Sequence, residues 1–269
     1  MAERFHLADL FETVARTVPD RTALISDSAR LTFAELDERC DRLAAGLSAH
    51  GVGRGDTVGL YLYNGPAYLE AFIAACKLGA VPYNVNYRYR ADELRYLFAN
   101  ADSVAIVHGA EFSPIMREVR GDVPTLKLTV AVEDGSGADI AGSLAYADIL
   151  DHEPGGPWER SEDDILMTYT GGTTGMPKGV MWPHKAFVFA CAGGAGYFNP
   201  HGPIATPQDI ESRARDGYPM TRMMSEEAIR VLFAALPKIK ADPADRDGKD
   251  PGQRPAAAAA PPGRAPSPG

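Results

Sequence analysis

The sequence predicts an α/β fold in which helices cover a largely parallel β-sheet. Short apolar runs alternate with segments of helical periodicity from residue 22 to residue 170, which is the order expected of β-α-β units. Gly51 and Gly79 follow the ends of two predicted helices, where a left-handed glycine commonly stops a helix. A change of composition near residue 240 then marks the end of the part that can form a core.

In the N-terminal third, the residue pattern predicts an amphipathic helix, a pair of short strands and a second helix. The first helix follows from helical spacing of Leu7, Leu10, Phe11, Val14 and Val18. The strands are residues 22–26 and 31–33, and the pattern Thr32-x-x-Glu35 indicates a capping box at the start of the second helix. That helix presents one apolar face, formed by Leu36, Cys40, Leu43 and Leu47.

Five further strands and three further helices complete the alternating pattern. The strands are residues 57–62, 80–85, 103–108, 126–132 and 164–170. The helices begin near Pro66 and cover 91–101 and 111–120, while 133–143 and 152–164 have the composition of surface loops.

Composition excludes several classes of protein. A net charge of -9 without a basic stripe argues against nucleic acid as a partner. Cys40, Cys76 and Cys191 are far apart, which disfavours a zinc site and a disulfide framework and fits a reducing, cytoplasmic location. We find no targeting segment, and no apolar run approaches the roughly 18 residues of a membrane span.

The segment from Thr170 to Lys178 is the strongest candidate for a binding site. Glycine lets backbone N–H groups approach an anion, threonine hydroxyls add donors, and the lysine supplies a charge for a polyphosphate. A Walker A loop is disfavoured, because that pattern needs glycine directly before the lysine and Ser or Thr directly after it. Here Pro177 precedes Lys178 and Gly179 follows it. A Gly/Thr hairpin without a ligand, with residues 179–182 as its returning strand, remains the alternative.

Two neighbouring features suggest chemistry less strongly. His184 follows the returning strand, where a polar residue is expected simply because a helix starts there. Asp163 and Asp164 could pass for paired catalytic carboxylates, but they stand in a charged loop and are expected on a solvated face.

The segment from Tyr169 to Val180 resembles the signature loop of the adenylate-forming (AMP-binding) superfamily, whose usual form is Y-T-S-G-T-T-G-x-P-K-G. Gly171 stands where serine is commoner. Residues 31–64 and 74–98 are also similar to that family. The combination of residues 84–89, residues 170–182 and the polar insert 202–224 looks most like bacterial fatty-acyl and steroid-side-chain CoA ligases. The resemblance covers roughly residues 5–225.

The resemblance implies a partial copy of the family's N-terminal domain and a two-step reaction. A carboxylate attacks the α-phosphate of ATP-Mg²⁺ to give an acyl-adenylate and pyrophosphate, and the CoA thiol then displaces AMP. ATP, Mg²⁺ and CoA are the implied cofactors, and a fatty or steroid-side-chain acid is the implied substrate. The residues that match the family's loop for the β- and γ-phosphates are Thr170, Gly171, Gly172, Thr173, Thr174, Gly175 and Lys178.

The family pattern stops after residue 225. Residues 226–240 predict a helix that resembles nothing known, and residues 241–269, rich in Pro, Ala and Gly, predict a disordered tail. The family's adenine-binding segment, Mg²⁺-binding glutamate, ribose-binding aspartate and C-terminal catalytic lysine have no counterpart. We therefore expect a truncated chain that is inactive alone, such as a frameshift would give, and no catalytic residue is assigned.

Two alternatives to this interpretation remain open. The chain could be a non-catalytic remnant or interaction protein that retains the phosphate-binding loop. It could also be a fragment of an amino-acid adenylation domain.

Overall fold

The computed structural model describes residues 4–26, 29–172, 175–191 and 202–216. These residues belong to the first of the two units into which the chain divides, Met1–Met223. The helix predicted at 226–240 and the tail predicted at 241–269 lie outside the described residues.

The N-terminal third follows the predicted order. Helix α1 (Leu7–Thr17) is followed by strands β1 (Thr22–Ile25) and β2 (Arg30–Thr32), which pair antiparallel, and then by helix α2 (Phe33–Ala49). The capping box is formed: the Glu35 N–H donates to Thr32 Oγ1 at 3.2 Å, and the Thr32 N–H donates to the Glu35 carboxylate at 2.8 Å. Helix α2 therefore starts where its sequence satisfies its first backbone donors.

In the described part of the chain, seven strands form the central sheet. They are β3 (Thr57–Tyr61), β4 (Val81–Asn84), β5 (Ser103–Gly109), β6 (Leu128–Val132), β7 (Leu144–Ala145), β8 (Ile165–Gly172) and β9 (Gly175–Pro183). The order across the sheet is β7-β6-β5-β3-β4-β8-β9, and every neighbouring pair is parallel except β8–β9. The predicted α/β class with a largely parallel sheet is confirmed.

Helices cover both faces of this sheet. The remaining helices are α3 (Pro66–Lys77), α4 (Ala91–Asn100), α5 (Ser113–Val119), α6 (Tyr146–Leu150), α7 (His184–Ala190) and α8 (Asp209–Arg215). Helices α2, α3 and α6 contribute to one apolar core with residues such as Val58 and Leu60 of β3. Helices α4 and α5 contribute to the core on the opposite face, together with Tyr61, Tyr83 and Tyr169. The alternation of Leu60 and Tyr61 between the two cores is the two-residue period of a strand covered on both sides.

The two edges of the sheet differ. Strand β7 at one edge is two residues long, whereas β9 at the other edge is nine residues long. Within the described part of the chain, β9 has a strand neighbour on one side and exposes Val180 and Met181, the latter to 67%.

None of the described helices combines the length and the apolarity that a membrane crossing requires.

Candidate phosphate-binding hairpin

The glycine- and threonine-rich segment forms the far end of the β8–β9 hairpin. The strands pair from Ile165↔Pro183 to Thr170↔Lys178, and again at Gly172↔Gly175, with one extra residue on β9 in between. Residues 179–182 are thus the returning strand, as the hairpin interpretation predicts. Thr173 and Thr174 lie outside the described residues. Hairpin pairing by itself is compatible with phosphate binding at the end of the hairpin, so both interpretations survive this observation.

The two faces of the hairpin carry different chemistry. Thr170 and Lys178 are cross-strand partners, so their side chains share one face, and both residues are exposed. Tyr169 and Gly179 are partners on the other face. Of the described residues, none forms an ion pair with Lys178. A hydroxyl and an ammonium group therefore face solvent together beside the glycines.

Tyr169 connects the hairpin to the rest of the sheet. Its N–H donates to Asn84 Oδ1 at 2.9 Å, and its carbonyl accepts from Asn84 Nδ2 at 3.1 Å. Its hydroxyl donates to Asn100 Oδ1 at 2.8 Å. Burial raises the pKa of the Tyr169 hydroxyl, which keeps it protonated as a donor.

Gly179 makes room for the ring of Tyr169. A Cβ atom built on Gly179 would lie 2.8 Å from Met167 Sδ and 2.9 Å from Tyr169 Cζ. Both distances are closer than carbon or sulfur atoms approach without displacement, so the glycine after Lys178 has a packing reason at this position.

The base of the hairpin is fixed by two stacked histidines. His184 begins α7, as predicted, but it is fully buried, and its ring lies 3.8 Å from that of His6. The Leu7 N–H donates to His184 Nδ1 and the Ala8 N–H donates to His6 Nδ1, each at 3.2 Å. Burial lowers the pKa of His6 to about 2 and that of His184 to about 4. The pair is therefore neutral and ties the start of α1 to the end of β9.

The expectation of a solvated face is wrong for Asp164. Its side chain is 9% exposed and accepts from Arg54 Nη2 and from the Ser161 N–H, each at 2.7 Å. Its carbonyl accepts the His184 N–H at 2.9 Å. Asp163 is exposed, as predicted. Asp164 therefore anchors the base of the hairpin, because an arginine and a backbone amide compensate the burial of its carboxylate.

A cavity of about 640 Å³ lies beside the hairpin, on the face away from Lys178. Met167, Tyr169, Gly179 and Met181 line it from the hairpin, and residues at the amino ends of β3, β4 and β5 line it from the sheet. The cavity and the face that carries Thr170 and Lys178 are therefore separate features of the molecule.

The described residues contain no group of three or more His, Cys, Asp or Glu side chains arranged to hold a metal ion.

The comparison with protein families decides the identity of this domain. The family described as "AMP-binding enzyme" matches residues 11–210. The chain belongs to the AMP-binding enzyme family.

Individual members of the family are also similar to this chain. The 3-oxocholest-4-en-26-oate–CoA ligase of Rhodococcus rhodochrous is 43% identical over 243 residues, which cover 86% of this chain and 43% of the relative. The medium/long-chain-fatty-acid–CoA/3-oxocholest-4-en-26-oate–CoA ligase of Mycobacterium marinum is 41% identical over 230 residues, covering 82% of this chain and 42% of the relative. The chain thus spans less than half the length of these two AMP-binding enzymes.

A solved structure supports the same assignment. The apo structure of MbtA from Mycobacterium smegmatis superimposes with a TM-score of 0.64 at 30% identity, over 73% of this chain and 36% of that one. The order of strands and helices described above is therefore an N-terminal portion of the AMP-binding fold.

The sequence pattern did not reveal Asn84 and Asn100, although both bind Tyr169. Each is a polar residue at the end of a regular element, Asn84 at the end of β4 and Asn100 at the end of α4. A polar amide inside a predicted buried strand is the signal that could have identified Asn84.

Proposed function

We propose that the β8–β9 hairpin binds the β- and γ-phosphates of ATP, and that the chain is the phosphate-binding portion of an ATP-dependent acyl-CoA ligase. The observation that supports this most is the shared, exposed face of Thr170 and Lys178 beside paired glycines, in a chain of the AMP-binding family.

Each proposed site residue has a defined role. The backbone N–H groups of Gly171, Gly172 and Gly175 approach the phosphate oxygens, since glycine has no side chain to keep an anion away. The hydroxyls of Thr170, Thr173 and Thr174 donate hydrogen bonds, and the Lys178 ammonium neutralises charge. Hydrogen bonds to charged groups contribute about 1.5–3 kcal/mol each.

In the proposed reaction, a carboxylate oxygen of the substrate attacks the α-phosphorus of ATP. The bond to the β-phosphate oxygen breaks, which gives an acyl-adenylate and pyrophosphate. The sulfur of CoA then attacks the acyl carbonyl and AMP leaves. The hairpin holds the leaving pyrophosphate and offsets the negative charge that develops on it.

The proposed acid is a fatty acid or a steroid with a carboxylated side chain. The support is that relatives at 41% and 43% identity carry the names of fatty-acid and 3-oxocholest-4-en-26-oate CoA ligases.

Titration calorimetry with ATP and with tripolyphosphate tests the hairpin assignment. Lys178→Ala should weaken both ligands about ten- to one-hundredfold, because one charged contact is lost. Lys127→Ala is the matched control, since Lys127 is an exposed lysine just before β6, outside the hairpin. Equal affinities for the parent and Lys178→Ala would refute the assignment.

A further inference from the structure

We propose that Asn84 and Asn100 are positioning residues for the phosphate-binding hairpin and act through Tyr169. The inference rests on the proposed function, because it concerns the direction in which the hairpin presents Thr170 and Lys178.

Backbone pairing fixes β8 to the sheet at very few points. Strands β4 and β8 share a single ladder position, Tyr83↔Met167, and β4 ends one residue later at Asn84. Past that position, the side chain of Asn84 both donates to and accepts from the backbone of Tyr169, at 3.1 and 2.9 Å. A primary amide carries the same donor and acceptor as a peptide group. Asn84 therefore replaces the next ladder step at the point where the two backbones separate.

A second hydrogen bond fixes the side chain of Tyr169. The Tyr169 hydroxyl donates to Asn100 Oδ1 at 2.8 Å, at the C-terminal end of α4. Tyr169 is 6% exposed, and its ring lies 5.7 Å from that of Tyr83, edge to face. Backbone and side chain of Tyr169 are thus held from two different elements, the end of a strand and the end of a helix.

Tyr169 directly precedes Thr170, so its orientation decides where the hairpin leaves the sheet. Neither asparagine needs to touch phosphate. Both act by restricting the orientations available to Thr170 and Lys178 before the ligand arrives, which lowers the ordering cost of binding.

The test compares Tyr169→Phe, Asn100→Ala and Asn84→Ala with the parent chain. Tyr169→Phe removes a single oxygen atom and leaves the ring in the core, so it retains the fold even if Asn84→Ala does not. Tyr96→Phe is the control, because Tyr96 packs against the same core from α4. Two measurements are made on each variant: tripolyphosphate affinity by calorimetry, and hydrogen exchange of the amides in residues 168–172.

We expect Tyr169→Phe and Asn100→Ala to bind tripolyphosphate about three- to tenfold more weakly, the range for loss of one buried hydrogen bond. Asn84→Ala removes two hydrogen bonds and should weaken binding at least as much. The double variant Tyr169→Phe/Asn100→Ala should be no weaker than either single variant, since both remove the same bond. Asn84→Ala should have a smaller effect in a Lys178→Ala background, which a general loss of stability would not produce. Amide exchange in 168–172 should increase in Asn84→Ala and remain unchanged in Tyr96→Phe.

The outcomes separate the two proposals. If the parent binds tripolyphosphate and the three variants bind it equally well, the positioning role is overturned and the proposed function stands. If the parent does not bind tripolyphosphate, the proposed function fails. In that case, faster amide exchange in Asn84→Ala supports the inference that Asn84 restricts the motion of the hairpin, and unchanged amide exchange overturns that inference.

Discussion

Gly179 lies under the ring of Tyr169, and its lack of a side chain allows the two strands of the hairpin to meet there. The ring of Tyr169 and the sulfur of Met167 occupy the space that a methyl group would need. The same residue thus completes the sequence motif and closes the packing on the face away from Lys178.

Gly179→Ala should destabilise the chain by about 1–3 kcal/mol, the usual cost of inserting a carbon into a filled site. Urea unfolding of the variant and the parent measures the difference. Gly121→Ala is the control, because a Cβ there has no atom within 4 Å. If both variants unfold at the same urea concentration as the parent, the contact at Gly179 is not restrictive.

At the scale of elements, the capping box of α2 fixes where this helix begins and contributes a measurable free energy. Thr32→Ala removes the hydroxyl that accepts the Glu35 N–H, and the expected loss of stability is about 1 kcal/mol. A double variant with Glu35→Ala should lose less than the sum of the two single variants, because the two side chains cap each other. Additive losses in urea unfolding would show that the two contacts are independent.

The sequence predicts correctly the elements whose apolar residues form a clear pattern, either a helical period with a capping residue or an unbroken buried run. Helix α2 has both, as its apolar face and Thr32 cap indicate, and the buried strands β3 and β5 are continuous apolar runs. Strand β7 and helix α6 were not predicted, because two and five residues are too few to show a period.

The candidate site was predictable where it depends on local sequence and not where it depends on the fold. The glycines and Lys178 form one continuous motif. The stack of His6 on His184 joins residues 178 positions apart, and the contact of Tyr169 with Asn84 joins strands that are not consecutive. The local sequence predicts a solvated Asp164, because its partner, Arg54, is 110 residues away along the chain.

At the scale of the whole molecule, three buried histidines should make stability depend on pH. Burial lowers the pKa of His6 to about 2 and of His184 to about 4, and it also lowers the pKa of His108. The unfolded chain, with histidine pKa values near 6.5, therefore binds protons first as the pH falls. Stability is full above about pH 7 and decreases as the pH drops from 6.5 toward 4.

Urea unfolding at pH 7.5 and pH 5.5 tests this dependence. Each of the two stacked histidines should account for about 1 kcal/mol of lost stability over that interval. His184→Asn should flatten the dependence, and His50→Asn, at an exposed residue after α2, should not. Equal stability of the parent at the two pH values would contradict the assignment of neutral, buried imidazoles.

We expect no ATP–pyrophosphate exchange by the 269-residue polypeptide alone, with any fatty or steroid acid. Adenylation needs the carboxylate aligned with the α-phosphorus, and such alignment can supply roughly 7–11 kcal/mol. The family match covers residues 11–210, and the chain spans less than half the length of its relatives, so we expect the 269 residues alone to hold too little of the substrate for this alignment. Exchange of labelled pyrophosphate into ATP is the measurement, and activity that Lys178→Ala abolishes would contradict the prediction, since contamination could not explain it.

The two edge strands of the sheet differ in how well they could pair with an additional strand. Among the described residues, strand β7 is two residues long, whereas β9 is nine residues long and exposes Val180 and Met181. Pro177 and Pro183 of β9 have no N–H to donate to an incoming strand. Long, apolar edge strands are templates for pairing with another chain, and very short ones are not. Among the described residues, the β9 edge therefore offers an added strand more pairing positions than the β7 edge, along the strand that carries Lys178.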